Sequence, residues 1–442
     1  MAVGLATASL AAEPAAHASA GTDWPSYGAD LSNTRSNSTG PTASQLPGVR
    51  PLWRFDATGD ITGTPVVADG RVFAGDTAGT VFALDAVTGH LLWRTTGLGG
   101  PINSSAAFDA GRVLFAVARA GSPFLAAFNA RTGHRLWTTV STRQDGSDVF
   151  GSPVLFRGSV LIGTSGLFGE TRETAPTTRG SVLRVNAESG AIFWQTFTVT
   201  RSSTSSGTGG GVWSTAAVDP MSGRVFVGTG NAYQAPADPH TDSILALDFA
   251  SGAVVASFQA TPNDVWTALG KPTGQDFDLG ASPNLFTLAD GTKLVGEGQK
   301  SGVYWAFRRD TLMPVWSTRV SPGSSVGGVL GSTATDGMSV FGLATLPGEV
   351  WSLKMAGGGI RWLEPSPDII KWGPVSQSNG ILYAASSAGL LQTWDAATGL
   401  PLLSLPLGRP SFGGVSIAGG RIFATTGTSF DTDGSIQAFG SG

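Results

Sequence analysis

The chain has no cysteine among its 442 residues. Disulfides, thiolate metal sites and a Cys-x-x-Cys-His haem attachment are therefore excluded within this sequence. Charge is also sparse. Only 13% of residues are charged and the net charge is −4, so no basic face offers itself to nucleic acid. The four histidines (His17, His90, His134 and His240) are scattered, which argues against a histidine catalyst or a zinc signature. No apolar run approaches the ~18 residues of a membrane span. No segment holds a helical apolar period long enough to build on, which leaves strands. Glycine, by contrast, is abundant at 63 residues, as a chain of many hairpins requires.

What remains is a repeat. Its clearest copy is Ala83-Leu84-Asp85-Ala86-Val87-Thr88-Gly89, running on to Trp93. Related copies start at Asn129, Asn186, Asp248 and Asp395. An Asp or Asn side chain can cap the backbone two residues on, and Gly supplies the positive φ that closes the turn. An alternating run precedes each turn, and Asp69-Gly70 marks a further hairpin upstream. Each unit therefore reads as a four-stranded antiparallel sheet. The repeat ends fall at Trp53, Trp93, Trp137, Trp194, Phe258, Trp316, Trp362 and Leu403, and roughly 40 residues per unit is propeller spacing. The expected fold is all-β, an eight-bladed propeller over 47–442. A last strand around Trp53 and a third strand at 435–439 would pair to close the ring. The repeat tryptophans are expected to pack between blades.

The first twenty residues, small and apolar with Ala18-Ser19-Ala20 at their end, read as an export signal. The positive region of such a signal is missing, so either a start upstream of Met1 or a trimmed N-terminus is expected. Residues 21–46 read as a polar extended segment along the ring's surface. The protein is thus expected to be secreted or in the cell envelope.

Chemistry is expected in the long insertions between Trp137 and Trp316, because loops on a rigid scaffold carry function. Glu170 follows an inner strand and is either a cation ligand or a solvated carboxylate. Trp213 follows the run Gly209-Gly210-Gly211 and can support a planar ligand. Asn231 is either a hard amide ligand for Ca2+ or a left-handed turn residue. Asp276 and Asp278, two apart on an extended chain, share a face. They can hold a cation together, or one can act as base while the other binds. Gly298-Gln299-Lys300-Ser301-Gly302 has the wrong spacing for a phosphate loop.

Taken together, these motifs resemble the quinoprotein dehydrogenase propellers that bind pyrroloquinoline quinone (PQQ), and within them the polyvinyl-alcohol-dehydrogenase-like branch. The phrases carrying the likeness are Trp24-Pro25-Ser26-Tyr27-Gly28-Ala29-Asp30-Leu31-Ser32-Asn33-Thr34-Arg35, Val212-Trp213-Ser214-Thr215, Thr229-Gly230-Asn231, Ala260-Thr261-Pro262-Asn263-Asp264-Val265-Trp266, Asp276-Phe277-Asp278-Leu279-Gly280-Ala281-Ser282-Pro283 and Gly298-Gln299-Lys300-Ser301-Gly302. The resemblance implies PQQ and Ca2+, or another hard cation, near the central axis. It implies Trp213, Lys300 and Arg179 as cofactor contacts and Glu170, Asn231 and Asp276 as metal ligands. Asp276 or Asp278 would be the catalytic base. The implied reaction is hydride transfer from a small-molecule or polymeric alcohol to the quinone, with a separate electron acceptor such as a cytochrome. Two departures stand out. Thr267 occupies a position where the family often has Asp, and the family's adjacent cysteines are absent, with Pro101–Ser105 in that region. The alternative is a cofactor-free propeller that binds a protein or a polymer.

Overall fold

The computed structural model describes residues 23–366, 372–430 and 433–441. The expected leader at 1–20 lies outside the described residues. Eight four-stranded antiparallel sheets form the blades of a propeller. Blades 1 to 7 occupy residues 66–95, 107–140, 154–197, 217–259, 284–319, 334–365 and 376–406, and blade 8 begins at 415. Its fourth strand comes from the other end of the chain, where Arg50–Asp56 pairs antiparallel with Ser435–Gly440. The first strands are mostly buried and lie beside first strands of neighbouring blades. The last strands alternate between exposed and half-buried residues along the outer rim. Helix is limited among the described residues to Leu167–Arg172 and one 3-10 turn.

The repeat is the mechanism of blade packing. Asp85 Oδ1 accepts hydrogen bonds from the Val87 and Thr88 amides at 3.0 and 2.7 Å, closing the turn as the sequence implies. The indole of each repeat Trp then crosses to the next blade. Trp93 Nε1 donates to Ala130 O at 2.9 Å, Trp137 to Ala187 O at 3.1 Å, and Trp362 to Ala396 O at 3.1 Å. Each ring lies flat against the turn glycine of that neighbour, where a side chain would collide. A Cβ on Gly133, already at φ 71°, would lie 2.5 Å from the Trp93 ring. A Thr two residues after the Trp adds a second link, as Thr95 Oγ1 does to Gly133 O at 2.8 Å. In blade 4 the Trp is replaced by Phe258, which packs on Phe307 with ring centroids 5.1 Å apart. Gly133→Ala combines a left-handed backbone with overpacking and is expected to destabilise the protein by roughly 2–4 kcal/mol. Thermal unfolding checks this, since an unchanged Tm would mean that the ring can move aside.

Residues 24–40, most of them half-buried, lie across the inner strands. Pro25 O, Leu31 O, Ser32 O, Thr34 O and Arg35 O accept from the amides of Phe108, Val218, Leu285, Thr335 and Gln377, at 2.8 to 2.9 Å. Five blades are touched by these main-chain bonds alone. Their polar residues serve the ring's inner carbonyls and amides, which would otherwise be buried without partners. Ser36–Asn37 adds a parallel strand to blade 7.

Candidate active site

At the mouth of the ring, insertions from blades 3, 4 and 5 meet over a cavity of about 360 Å³. Its polar lining includes Glu170, Asn231, Asp276, Asp278 and Lys300, and its walls include Trp213, Trp266, Leu330 and Trp372. Six of the seven residues singled out in the sequence therefore meet in one pocket, although they are spread over 130 positions. Arg179 does not join them. Its guanidinium lies 3.7 Å from the centroid of Phe197, and its backbone pairs with Gly209.

Lys300 organises the cluster. Its Nζ stands 2.7 Å from Asp276 Oδ1 and 2.8 Å from Asp278 Oδ2, and 5.7 Å from the Trp213 ring centroid. Trp213 Nε1 donates to Asp278 Oδ2 at 3.1 Å, and the Asn231 amide donates to Asp278 Oδ1 at 2.9 Å. Asp278 thus fixes the indole, the ammonium and the Asn231 backbone at once. Asn231 is not in the left-handed backbone region. Its Nδ2 donates to Ala232 O and Trp266 O at 2.9 and 2.8 Å, which leaves the amide oxygen for the pocket.

The two aspartates meet for a different reason from the one their spacing suggests. Asp276 is not extended but has φ 60°, an uncommon and strained state for a non-glycine residue. The buried Asp264 maintains it. Asp264 Oδ1 accepts from the amides of Gln275 and Asp276 at 2.8 and 3.1 Å, and Oδ2 from Phe277 at 2.8 Å. The glycine run before Trp213 also serves the backbone. Gly209 donates to Thr178 O and Gly210 to Asn231 O, both at 2.9 Å, so these glycines let chain approach chain. Thr267 lines a neighbouring groove.

The electrostatics are those of an acid-rich site. Burial and then the charge of Asp278 push the Asp276 carboxyl up to about 9. Burial and Asp278 push Glu170 up to about 8, against the pull of Lys300 and the Tyr233 hydroxyl. Burial opposes the charge on Lys300, but Asp278, Asp276 and Glu170 outweigh it and raise its pKa. Three carboxyl groups thus face one ammonium in a low-dielectric pocket, a balance that a further cation would correct. Among the described residues no three His, Cys, Asp or Glu side chains form a ready metal cluster. A cation here would rely on the Asn231 amide and on oxygens of its co-ligand as well as on carboxylates.

Several participants gave no signal in the sequence. Asp148 holds the short helix that carries Glu170, accepting from Ser165 Oγ and from the Phe168 amide at 2.9 Å. Burial raises it to about 6. Tyr233 lines the pocket beside Glu170. Glu297 is fully buried behind Gly228, and neither of its oxygens has a hydrogen-bond partner among the described residues. Burial alone raises its pKa well above the usual carboxylate range. Its proton therefore stabilises the fold at low pH, and that contribution is lost as pH rises above ~4.3, the unfolded value, towards the folded one. Glu297→Gln keeps the neutral shape. It is expected to raise Tm at pH 8 and to leave it unchanged at pH 4.5; equal effects at both would show that the carboxyl is not held neutral.

A family profile described as "Outer membrane protein assembly factor BamB", of the PQQ_2 repeat class, matches residues 47–243 and 347–441. The chain belongs to this PQQ-type propeller family. Among curated proteins, the PQQ-type propeller is similar to the polyvinylalcohol dehydrogenase of a Pseudomonas species. The two are 28% identical, over 91% of this chain and 73% of that protein. Among solved structures, the quinohemoprotein alcohol dehydrogenase ADHIIG of Pseudomonas putida matches with a TM-score of 0.82 at 18% identity, over 95% of this chain and 80% of that one. A europium-containing methanol dehydrogenase matches at 0.80 and 16% identity, over 95% of this chain and 98% of that one. At these identities the structural likeness is one of fold.

Proposed function

We propose that the protein is an exported quinoprotein that oxidises an alcohol with PQQ and Ca2+, or another hard cation, held on the Trp213 side of the pocket. The observation that carries this reading is the convergence of Glu170, Trp213, Asn231, Asp276, Asp278 and Lys300 on one cavity. The residues fit the cofactor. Trp213 offers a flat surface, Lys300 a donor, and Asn231 and the carboxylates hard oxygens. In the adjoining axial cavity Ser214 Oγ and Asn103 Oδ1 are buried without partners, as suits a polar ligand.

Bound PQQ supplies the acceptor for a hydride from the alcohol carbon, and the cation supplies Lewis acidity. The protein supplies the remainder. Asp276 takes the hydroxyl proton as base. Lys300 holds Asp276 and Asp278 in register and favours the ionised form of Asp276. Asp278 keeps the indole in place through Nε1. Leu167, Val326, Leu330 and Trp372 give the pocket an apolar wall that suits an alcohol on a carbon chain. Electrons would leave to a separate acceptor such as a cytochrome.

The family description also admits a cofactor-free scaffold. A scaffold has no use for a strained, buried Asp276 paired with a buried Lys300. The deciding assay supplies purified protein with PQQ and Ca2+ and follows reduction of an artificial acceptor. Turnover with a primary, secondary or polymeric alcohol supports the reading; none with any of them contradicts it.

A further inference from the structure

We propose that Arg35 and Tyr27 of the N-terminal segment are positioning residues for the Trp213 floor, because together they complete an axial ring of hydroxyls that blades 7 and 8 leave open. This rests on the reading of Trp213 as the floor of a ligand site.

The ring is built from one hydroxyl at the start of each inner strand. Thr64 N donates to Ser105 Oγ at 2.8 Å, Ser105 N to Ser152 Oγ at 3.0 Å, and Ser152 N to Thr215 Oγ1 at 3.0 Å. Thr215 N donates to Ser282 Oγ and Ser282 N to Ser332 Oγ, both at 2.9 Å. Five links thus join blades 1 to 6 head to tail. The equivalent positions in blades 7 and 8 are Pro374 and Gly414, which carry no hydroxyl. The chain of bonds stops there, and Thr64 Oγ1 at its start is buried without a partner.

Arg35 occupies this gap. It is fully buried, and among the described residues no carboxylate pairs with it. Its Nε donates to Val375 O of blade 7 at 2.9 Å. One terminal nitrogen donates to Ser376 Oγ at 2.9 Å and to Val415 O of blade 8 at 3.1 Å. The other donates to Tyr27 O. A Cβ on Gly414 would lie 2.0 Å from Thr64 Oγ1 and 3.0 Å from an Arg35 nitrogen, so the missing side chain is what admits the guanidinium. The guanidinium also stands over the Tyr27 ring, 4.8 Å from its centroid. The Tyr27 hydroxyl donates to Ser332 Oγ at 2.7 Å, which ties Arg35 back to the last hydroxyl of the ring.

The ring reaches the site through Thr215, two residues beyond Trp213. A small axial cavity of about 160 Å³ is walled by Ser105, Ser152, Thr215, Ser282, Ser332 and Tyr27, with Trp213 also in its lining. Asn33 of the same segment donates to Thr215 O and Ala216 O, both at 3.2 Å. The backbone that carries the indole is therefore bonded from below by the ring and by the segment that closes it. A buried donor fork that satisfies carbonyls on two blades leaves them unpaired when removed, and the blades then have reason to shift.

The test uses the full chain and three variants. Arg35→Met keeps bulk and removes the fork. Tyr27→Phe keeps the ring and removes one hydroxyl. Arg421→Met is the control, since Arg421 bonds Ala86 O and Val87 O at the outer rim. In each background the Trp213 contribution to near-UV circular dichroism is read by adding Trp213→Phe, and PQQ is titrated with Ca2+ present. Arg35→Met and Tyr27→Phe are expected to lose most of the Trp213 signal and to bind PQQ about tenfold more weakly or worse, while the control keeps both. If both variants lower Tm but retain the Trp213 signal and the affinity, the role is structural only and the proposal is overturned. Should Arg35→Met not fold, Tyr27→Phe decides alone. If wild type binds no PQQ, the functional reading fails, but the circular dichroism difference still decides the positioning role.

Discussion

Asp276→Asn is expected to fold and to bind cofactor while losing about 10²–10⁴ of kcat/KM in the acceptor assay, the usual size of a lost general base. The substitution is nearly isosteric and leaves the Lys300–Asp278 pair, 2.8 Å apart, in place. Burial and Asp278 push the Asp276 carboxyl up to about 9. Below that value the ionised fraction falls about tenfold per pH unit, so wild-type kcat/KM is expected to rise with pH through the neutral range. A bound cation lowers the value and shifts the rise to lower pH without changing its sign. A variant with near wild-type rates would remove Asp276 from the mechanism.

The second large effect concerns stability. Lys300→Met leaves Asp276 and Asp278 buried without their ammonium. Breaking a buried ion pair by deleting one partner typically costs about 3–5 kcal/mol. Below about 9 Asp276 holds its proton with or without the ammonium, so its titration does not separate the two proteins in the neutral range. Lys300→Met is expected to lower Tm, and Ca2+ should recover part of the deficit by restoring a positive charge beside the carboxyl groups. A deficit indifferent to Ca2+ would mean that lost packing, rather than unpaired charge, is the cause.

What the sequence revealed and what it hid divide along a physical line. The Asp-x-x-Thr-Gly turn and its following Trp were legible because turn chemistry is local, and the same indole-on-glycine contact recurs from blade to blade. The pocket residues were legible as oddities, since Trp213 is off the repeat and Asp276, Asp278 and Lys300 stand in insertions. Their geometry was not. The link of Asp276 to Asp278 runs through Lys300, more than twenty residues away, and through Asp264, whose phrase was visible but whose hold on the Asp276 backbone was not. Arg179 looked equivalent to Lys300 in sequence, but its stacking on Phe197 takes it elsewhere. The axial hydroxyls Ser105, Ser152, Thr215, Ser282 and Ser332 look like common strand starts. Only closure of the ring sets each against the next blade's amide. Arg35 stood in the N-terminal phrase, but its role was hidden for the same reason, because its partners lie 340 and 380 positions away.

The central claim is that Trp213 is the floor of a cation-assisted PQQ site. Titration of PQQ by tryptophan fluorescence quenching, with and without Ca2+, on wild type and Trp213→Ala, tests it most directly. Saturable quenching of wild type that requires Ca2+ and weakens at least tenfold in Trp213→Ala is the predicted result, in line with about 1–3 kcal/mol for a lost aromatic face. Equal affinity in the two proteins, or no binding by wild type under either condition, would contradict the account.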